Sequence, residues 1–401
     1  MFGLGVNRLG ASRSVLGDAI ANLFSNGEQG VWYDPSDLTT MFQNDTSAVP
    51  AVIGQSVGTM LDKSQGLKLG SELITNGDFA TDSNWNTGTG WSIAGGVAVA
   101  DNVTGANLTQ GNLGLTANIV YEVTFTVKTR SSGTVLVRLG GSTPVSSESY
   151  NSAGTYTARL RGNSTNTTFA IRGQNGFTGT IDNVSLKVIQ GNHAYVDTSV
   201  NRPTLRESGG LRYLEFDGVS DGMFIKGLTS TSTPLTAWFG YSATNAEAAN
   251  KKFLLDIQAT RAVLAASANT AGNIGYFDGE WSEFAADSNA LKVLTYDLVE
   301  NNAKIRVDGT QEYSDTTYDQ LAIGGQIALF AKFNVLDNYL AGNLYSCILR
   351  AAESTDKEIA STESYVAKKI GLLAQVDGIA TLSLDFAGNT YTARDSNGGI
   401  L

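Results

Sequence analysis

The chain has 401 residues but a single histidine, His193, and a single cysteine, Cys347. Those two counts bound its chemistry closely. A Ser–His–Asp or Cys–His mechanism would have to run through His193, which sits in the turn-like stretch GNHAY. A metal site built on His or Cys needs more of them than the chain carries. Cys347 lies in the apolar run LYSCILR, where a thiol packs as a small hydrophobe, and a lone cysteine excludes an intrachain disulfide. No H-E-x-x-H, C-x-x-C or Walker-type loop occurs. The 38 acidic residues always offer carboxylate pairs for glycoside cleavage, but long parallel β-helix repeats are absent. The expectation is no catalytic residue, no metal site and no cofactor.

Binding is the chemistry that remains. A sugar site stacks an aromatic ring against a sugar face and adds polar groups around it. Trp85, Trp91, Tyr276 and Trp281 are the candidates, each with a competing reading as a core aromatic. Trp238, in LTAWFGY, reads as core. A structural calcium would need acidic and carbonyl oxygens, which Asp78, Asp182, Asp217 and Asp221 could supply; turn-forming Asp is the competing reading. The net charge of −11 argues against nucleic acid as a partner. No apolar run is long enough for membrane insertion. The opening residues lack a lysine-rich start and a continuous apolar core, so no secretory signal is expected.

The elements that hold these residues are mostly strands. Gly is abundant (45) and Pro scarce (5), and only 16% of residues are charged, which suits short strands joined by tight turns. Residues 71–190 form one strand series. Its clearest member is IVYEVTFTVKTR, with Tyr121, Val123, Phe125 and Val127 on one face. Residues 191–371 form a second series, in which KVLTYDL-VENN-AKIRVDG reads as a hairpin. Before them, Val15, Leu16, Ile20, Leu23 and Phe24 make a helical stripe too short to stand alone. It must lie either on its own sandwich or on another subunit. Near the end, TDKEIASTESYVAKKI reads as a helix capped by Thr355 or Asp356, with Ile359, Tyr365, Val366 and Ile370 on its apolar side. The last residues read as a hairpin. The fold class is therefore all-β: two β-sandwich (jelly-roll) domains, a short N-terminal helix, one C-terminal helix and a terminal hairpin.

Two sets of motifs resemble known families. Asn76-Gly77-Asp78-Phe79 opening and Ile181-Asp182-Asn183-Val184-Ser185-Leu186 closing a strand series resembles a carbohydrate-binding-module jelly roll. The stretch LEFDGVSD, the strand IRVDG and the late GNLY before a helix resemble concanavalin-like or laminin-G-like sandwiches. GVWYDPSDLTTMF ending in DKS, and the resumption GNHAYVDTSVNRPTL, resemble a lectin-like unit of phage structural proteins. In that pattern DKS runs straight into GNHA, whereas here the first sandwich separates them. The implied layout is an N-terminal arm and docking helix (1–29), a lead segment (30–65), an inserted sandwich (66–190), a lectin-like sandwich (191–371) and a hairpin extension (372–401). The resemblance implies a tailed-bacteriophage virion protein of head-fibre, tail-fibre or decoration type. It would be attached to capsid or tail proteins and located on the virion, as a homo-oligomer with a trimer favoured. A receptor-binding adhesin for host surface glycan is the alternative, and a glycan hydrolase a remote one.

Overall fold

A computed structural model describes residues 15–44, 49–226, 228, 231–232, 234–244, 246, 251–257, 262–286, 289–318, 322–323, 326–332 and 339–372. The arm before residue 15 and the expected hairpin after residue 372 lie outside them. Among the described residues the protein is all-β, with three large antiparallel sheets, one small two-stranded sheet and two α-helices.

Residues 69–189 build the first sandwich around one core. Two long strands, Val120–Gly141 and Asn166–Ile189, run antiparallel along most of their length, with several register shifts between them. The alternation visible in sequence has a physical cause here. Tyr121, Val123, Phe125 and Val127 face a core shared with Phe169, Ile171 and Leu186. The partners of the intervening positions are polar. Thr126 meets Thr155 through its hydroxyl at 3.0 Å, and Glu122 pairs with Arg159 at 3.1 Å.

The second sandwich joins strands on either side of the first in sequence. Gly30–Tyr33 pairs with Ala341–Arg350, while Met41–Phe42 and Thr59–Met60 reach Ala194–Tyr195. One sheet has eight strands, with Leu211–Asp217, Ala341–Arg350, Leu235–Ala243 and Lys292–Leu298 adjacent in that order. The other has nine, running from Met41–Phe42 to Trp281–Ala285. Their inner faces meet in a large core that includes Tyr33, Phe239, Tyr296, Leu264, Tyr276 and Cys347.

The outer face of the eight-stranded sheet is covered by helices. The first, α1 (Val15–Asn22), and the second, α2 (Asp356–Lys369), pack there against Trp32, Trp238, Val293 and Ile348. Thr355 and Glu358 form a reciprocal capping box that starts α2, satisfying two backbone N–H groups. Ile359, Tyr365, Val366 and Ile370 are the face it buries. The helix approaches so closely that a Cβ on Gly240 would stand 2.8 Å from Val366 and Ile370 side chains. Glu363, buried on the same helix, accepts from Arg306 at 2.7 Å and from the Thr295 hydroxyl at 2.9 Å. Ile20, Leu23 and Phe24 are buried in this cluster, so that part of the helical stripe meets the chain's own sheet. The side chains of Val15 and Leu16 lie outside the description.

Where the chain leaves the second sandwich and returns to it, Asp62 ties the strands together. Its carboxylate accepts from the backbone N–H of Trp32, Ser64 and Asn192, each at 2.8 Å, and from the Ser64 hydroxyl. Its own N–H donates to His193 Nδ1 at 3.0 Å. Tyr33 donates its hydroxyl hydrogen to the Asn192 carbonyl. A second buried carboxylate, Asp34, accepts from Lys63, Lys369 and the Tyr365 hydroxyl at 3.1, 2.9 and 2.9 Å. It joins the lead strand to α2.

Candidate functional site

The two chemically suggestive residue types are enclosed. His193 is buried, with Nδ1 accepting from Asp62 and Nε2 donating to the Ile189 carbonyl at 3.2 Å. Burial pushes its pKa down to about 4, so the ring is neutral at pH 7. Burial likewise pushes the Cys347 thiol well up.

The candidate aromatics divide between interior and surface. Trp85 is in the core of the first sandwich, against Phe79 and Phe169, with Nε1 donating to the Asn76 carbonyl at 3.0 Å. Trp91 packs on Phe177 in the same core and donates to Ala106. Tyr276 is fully buried between the sheets of the second sandwich. Its hydroxyl donates to Asp315 at 2.8 Å, and Ser282 donates to the same oxygen. The bonds from Thr317 come first in holding Asp315 down to about 2. These three rings present no open face. Trp238 is core as well. Trp281 alone of the candidates remains partly exposed, on the edge strand of the nine-stranded sheet.

Trp281 ends a register row that crosses that sheet on its outer face. Phe224 stands opposite Ala328, Ala328 opposite Asp256, and Asp256 opposite Val263. Val263 faces Phe277, and Phe277 faces Trp281. Neighbouring positions Ile225, Leu255, Leu264 and Ile274 point into the core, so period-two alternation puts this row on the opposite side. The adjacent row runs Phe253, Ala265, Gly275, Glu283. A Cβ on Gly275 would stand 2.3 Å from the Ser282 carbonyl oxygen, so only glycine fits there. Between these small residues and the solvent, Trp281 leans to within 6.4 Å of the Phe253 ring and 5.3 Å of Phe277, centroid to centroid. Glu283 lies at the rim, accepting from the Thr270 N–H at 2.9 Å and the Thr270 hydroxyl at 2.5 Å.

At the far end of the same face the two sandwiches meet. Arg161 stands 4.1 Å over the Tyr195 ring and pairs with Asp197, and Arg159 lies 5.7 Å over Phe42. The open end is therefore the Trp281 end. Partly exposed aromatic carbon beside a fixed carboxylate and a hydroxyl is the arrangement that accepts a sugar ring.

The four aspartates considered for calcium are engaged elsewhere. Asp217 accepts from the N–H groups of Val219, Ser220 and Asp221, and Asp221 accepts from Asp217 N–H at 3.0 Å. Burial, with Asp217 and Glu215 nearby, lifts Asp221 to about 6. Asp182 pairs with Lys128 at 3.0 Å, and Asp78 faces the Ala80 N–H. Among the described residues no three His, Cys, Asp or Glu side chains converge as a metal site. Among them, too, no helix is long and apolar enough to cross a membrane.

Trp281 stands out in the sequence, but its companions Phe253, Phe277, Glu283 and Thr270 do not. The strands KFLLDI, AVLAAS and NIGYF are apolar at most positions, so the sequence gives no alternation to say which residues face outward. The Gly275 and Ala265 pair, small residues inside strands, is the signal that marks a face where bulk is excluded.

No protein-family profile and no curated protein sequence matches the chain. Solved structures match distantly. Domain 4 of a GH43 extracellular arabinanase from Geobacillus stearothermophilus, in complex with arabinotriose, is similar at TM-score 0.32 and 11% identity, over 39% of this chain and 79% of that one. The binding domain of Paraclostridial Mosquitocidal Protein 1 is similar at TM-score 0.32 and 11% identity, over 43% and 49%. The botulinum neurotoxin serotype D ligand binding domain, in complex with N-acetylneuraminic acid, gives 0.31 and 12%, over 43% and 48%. The chain spans about half the length of these two toxin domains.

Proposed function

We propose that the protein is a glycan-binding adhesin, with Trp281 and Phe277 as the stacking platform and Glu283 and Thr270 as its polar rim. One observation carries this reading. Helices α1 and α2 cover the outer face of one sheet of the second sandwich, while the outer face of the other ends in a partly exposed aromatic cluster beside a positioned carboxylate. Binding is proposed to proceed without catalysis, since the one imidazole and the one thiol are enclosed. A glycan array probed with the full chain tests the reading: retention on bacterial surface polysaccharides is expected. Silence across them would overturn it and leave a purely structural appendage as the better account.

The setting we propose is a tailed-phage particle, on the capsid or tail, with a trimeric assembly. This part rests on the sequence motifs GVWYDPSD, DKS and GNHA and on the reading of the first sandwich as an insertion between them. Gold-labelled antibody on purified particles tests it. Label at defined positions is expected, and unlabelled particles would refute it.

A further inference from the structure

The first sandwich carries a feature that the adhesin reading does not use. On one layer, Val135, Val137, Leu139, Phe169 and Ile171 point into the core. The alternate positions of the same strands therefore point away from it. Two of these are arginines. Arg138 stands opposite Ala170, and Arg172 opposite Leu136, on neighbouring strands. They are diagonal neighbours on one face, roughly 7–8 Å apart at the backbone. Like charges so placed repel, and nothing described offsets them. Arg172 meets the neutral Asn107 side-chain oxygen at 3.2 Å. The Arg138 side chain makes no hydrogen bond or ion pair among the described residues, and its Nε is buried without a partner. Thr134 Oγ1, on the same face of the same strand, is also buried and unpartnered. Burial and the Arg172 charge both push Arg138 below its ordinary pKa, with no carboxylate acting against them. All this occurs in a chain with 11 more acidic than basic residues.

Two adjacent guanidinium groups on one half-exposed face, with no carboxylate to neutralise them, suit an anionic ligand. Beside them the surface is small and hydroxylated: Thr109 and Ala170 lie in the Arg138 row, Ser146 at its edge. The guanidinium fork matches a planar carboxylate. We propose that Arg138 and Arg172 form a second saccharide site, on the first sandwich, that takes the carboxylate of an acidic sugar. The saccharide class rests on the adhesin reading; the anion requirement rests on the arginines themselves.

The test is calorimetric titration of the full chain with trigalacturonate, with its methyl ester, and with sodium sulfate. The acid is expected to bind and the ester to bind at least about tenfold more weakly. Arg138→Gln and Arg172→Gln are each expected to lose about tenfold or more, and Arg138→Lys to recover only part, because a point charge replaces the fork. Unchanged melting temperatures show that the variants fold. Equal affinity for acid and ester, or an affinity unmoved by both glutamine variants, overturns the proposal. Sulfate binding as tight as trigalacturonate overturns the saccharide assignment. Absence of acid binding by a chain that still binds neutral glycans on the array refutes this site and leaves the Trp281 reading standing.

Discussion

Replacing Asp62 by alanine should destabilise the second sandwich in a pH-dependent way. The carboxylate accepts from three backbone N–H groups, those of Trp32, Ser64 and Asn192. Left unsatisfied in the interior, each costs about 1–3 kcal/mol. Against that loss stands the cost of the charge. Burial raises Asp62 to about 6, so removing an ionised group recovers about 3 kcal/mol at pH 7. The net loss for Asp62→Ala is then about 3 kcal/mol at pH 7. Between pH 6 and 4 the folded wild type holds a proton that the unfolded chain does not, so wild-type stability gains from this group as pH falls. The deficit of the variant should therefore widen towards pH 4, by up to about 3 kcal/mol. Urea unfolding at pH 7 and pH 5, followed by fluorescence and circular dichroism, measures both. A loss under about 1 kcal/mol at both pH values would contradict the role of Asp62 as acceptor for three buried backbone N–H groups.

Three further outcomes follow from the packing of α2 and from the buried His193. Gly240→Val should cost about 2 kcal/mol or more, because its side chain would overlap Val366 and Ile370; thermal unfolding reads this, and an unchanged midpoint would mean α2 is not seated there. Glu363→Ala should cost about 3 kcal/mol by stranding Arg306 and the Thr295 hydroxyl, and adding Arg306→Met should recover part of it in a double-mutant cycle. His193 titrates near 6.5 when unfolded and at about 4 when folded. It therefore lowers stability as pH falls through that window, by about 3 kcal/mol in total. His193→Asn should lose that slope; parallel pH curves for variant and wild type would contradict the buried neutral imidazole.

How far the sequence reveals the fold depends on how many faces of a strand are buried. The Tyr121–Val127 stretch is legible because one face is core and the other polar. So is α2, whose Thr355 and Glu358 are spaced for a capping box and whose apolar residues recur at helical period. LTAWFGYSA and KVLTYDL are buried on both faces, one by the opposing sheet and one by α2, so they show no alternation and do not disclose their neighbours. The aromatics show the same limit. Trp85, Trp91, Tyr276 and Trp281 are alike by residue type, and only register separates the one on an outer edge from three held in cores. The Arg138 and Arg172 pair is 34 positions apart in sequence and is joined only by strand pairing.

The most direct test of the account is titration of an array-identified glycan into the full chain and into Trp281→Ala. The stacked ring should be worth about 2 kcal/mol, so the variant should bind roughly 30-fold more weakly while its circular dichroism spectrum at the titration temperature stays that of the folded chain. Undiminished affinity in Trp281→Ala would contradict the claim that this face holds the sugar.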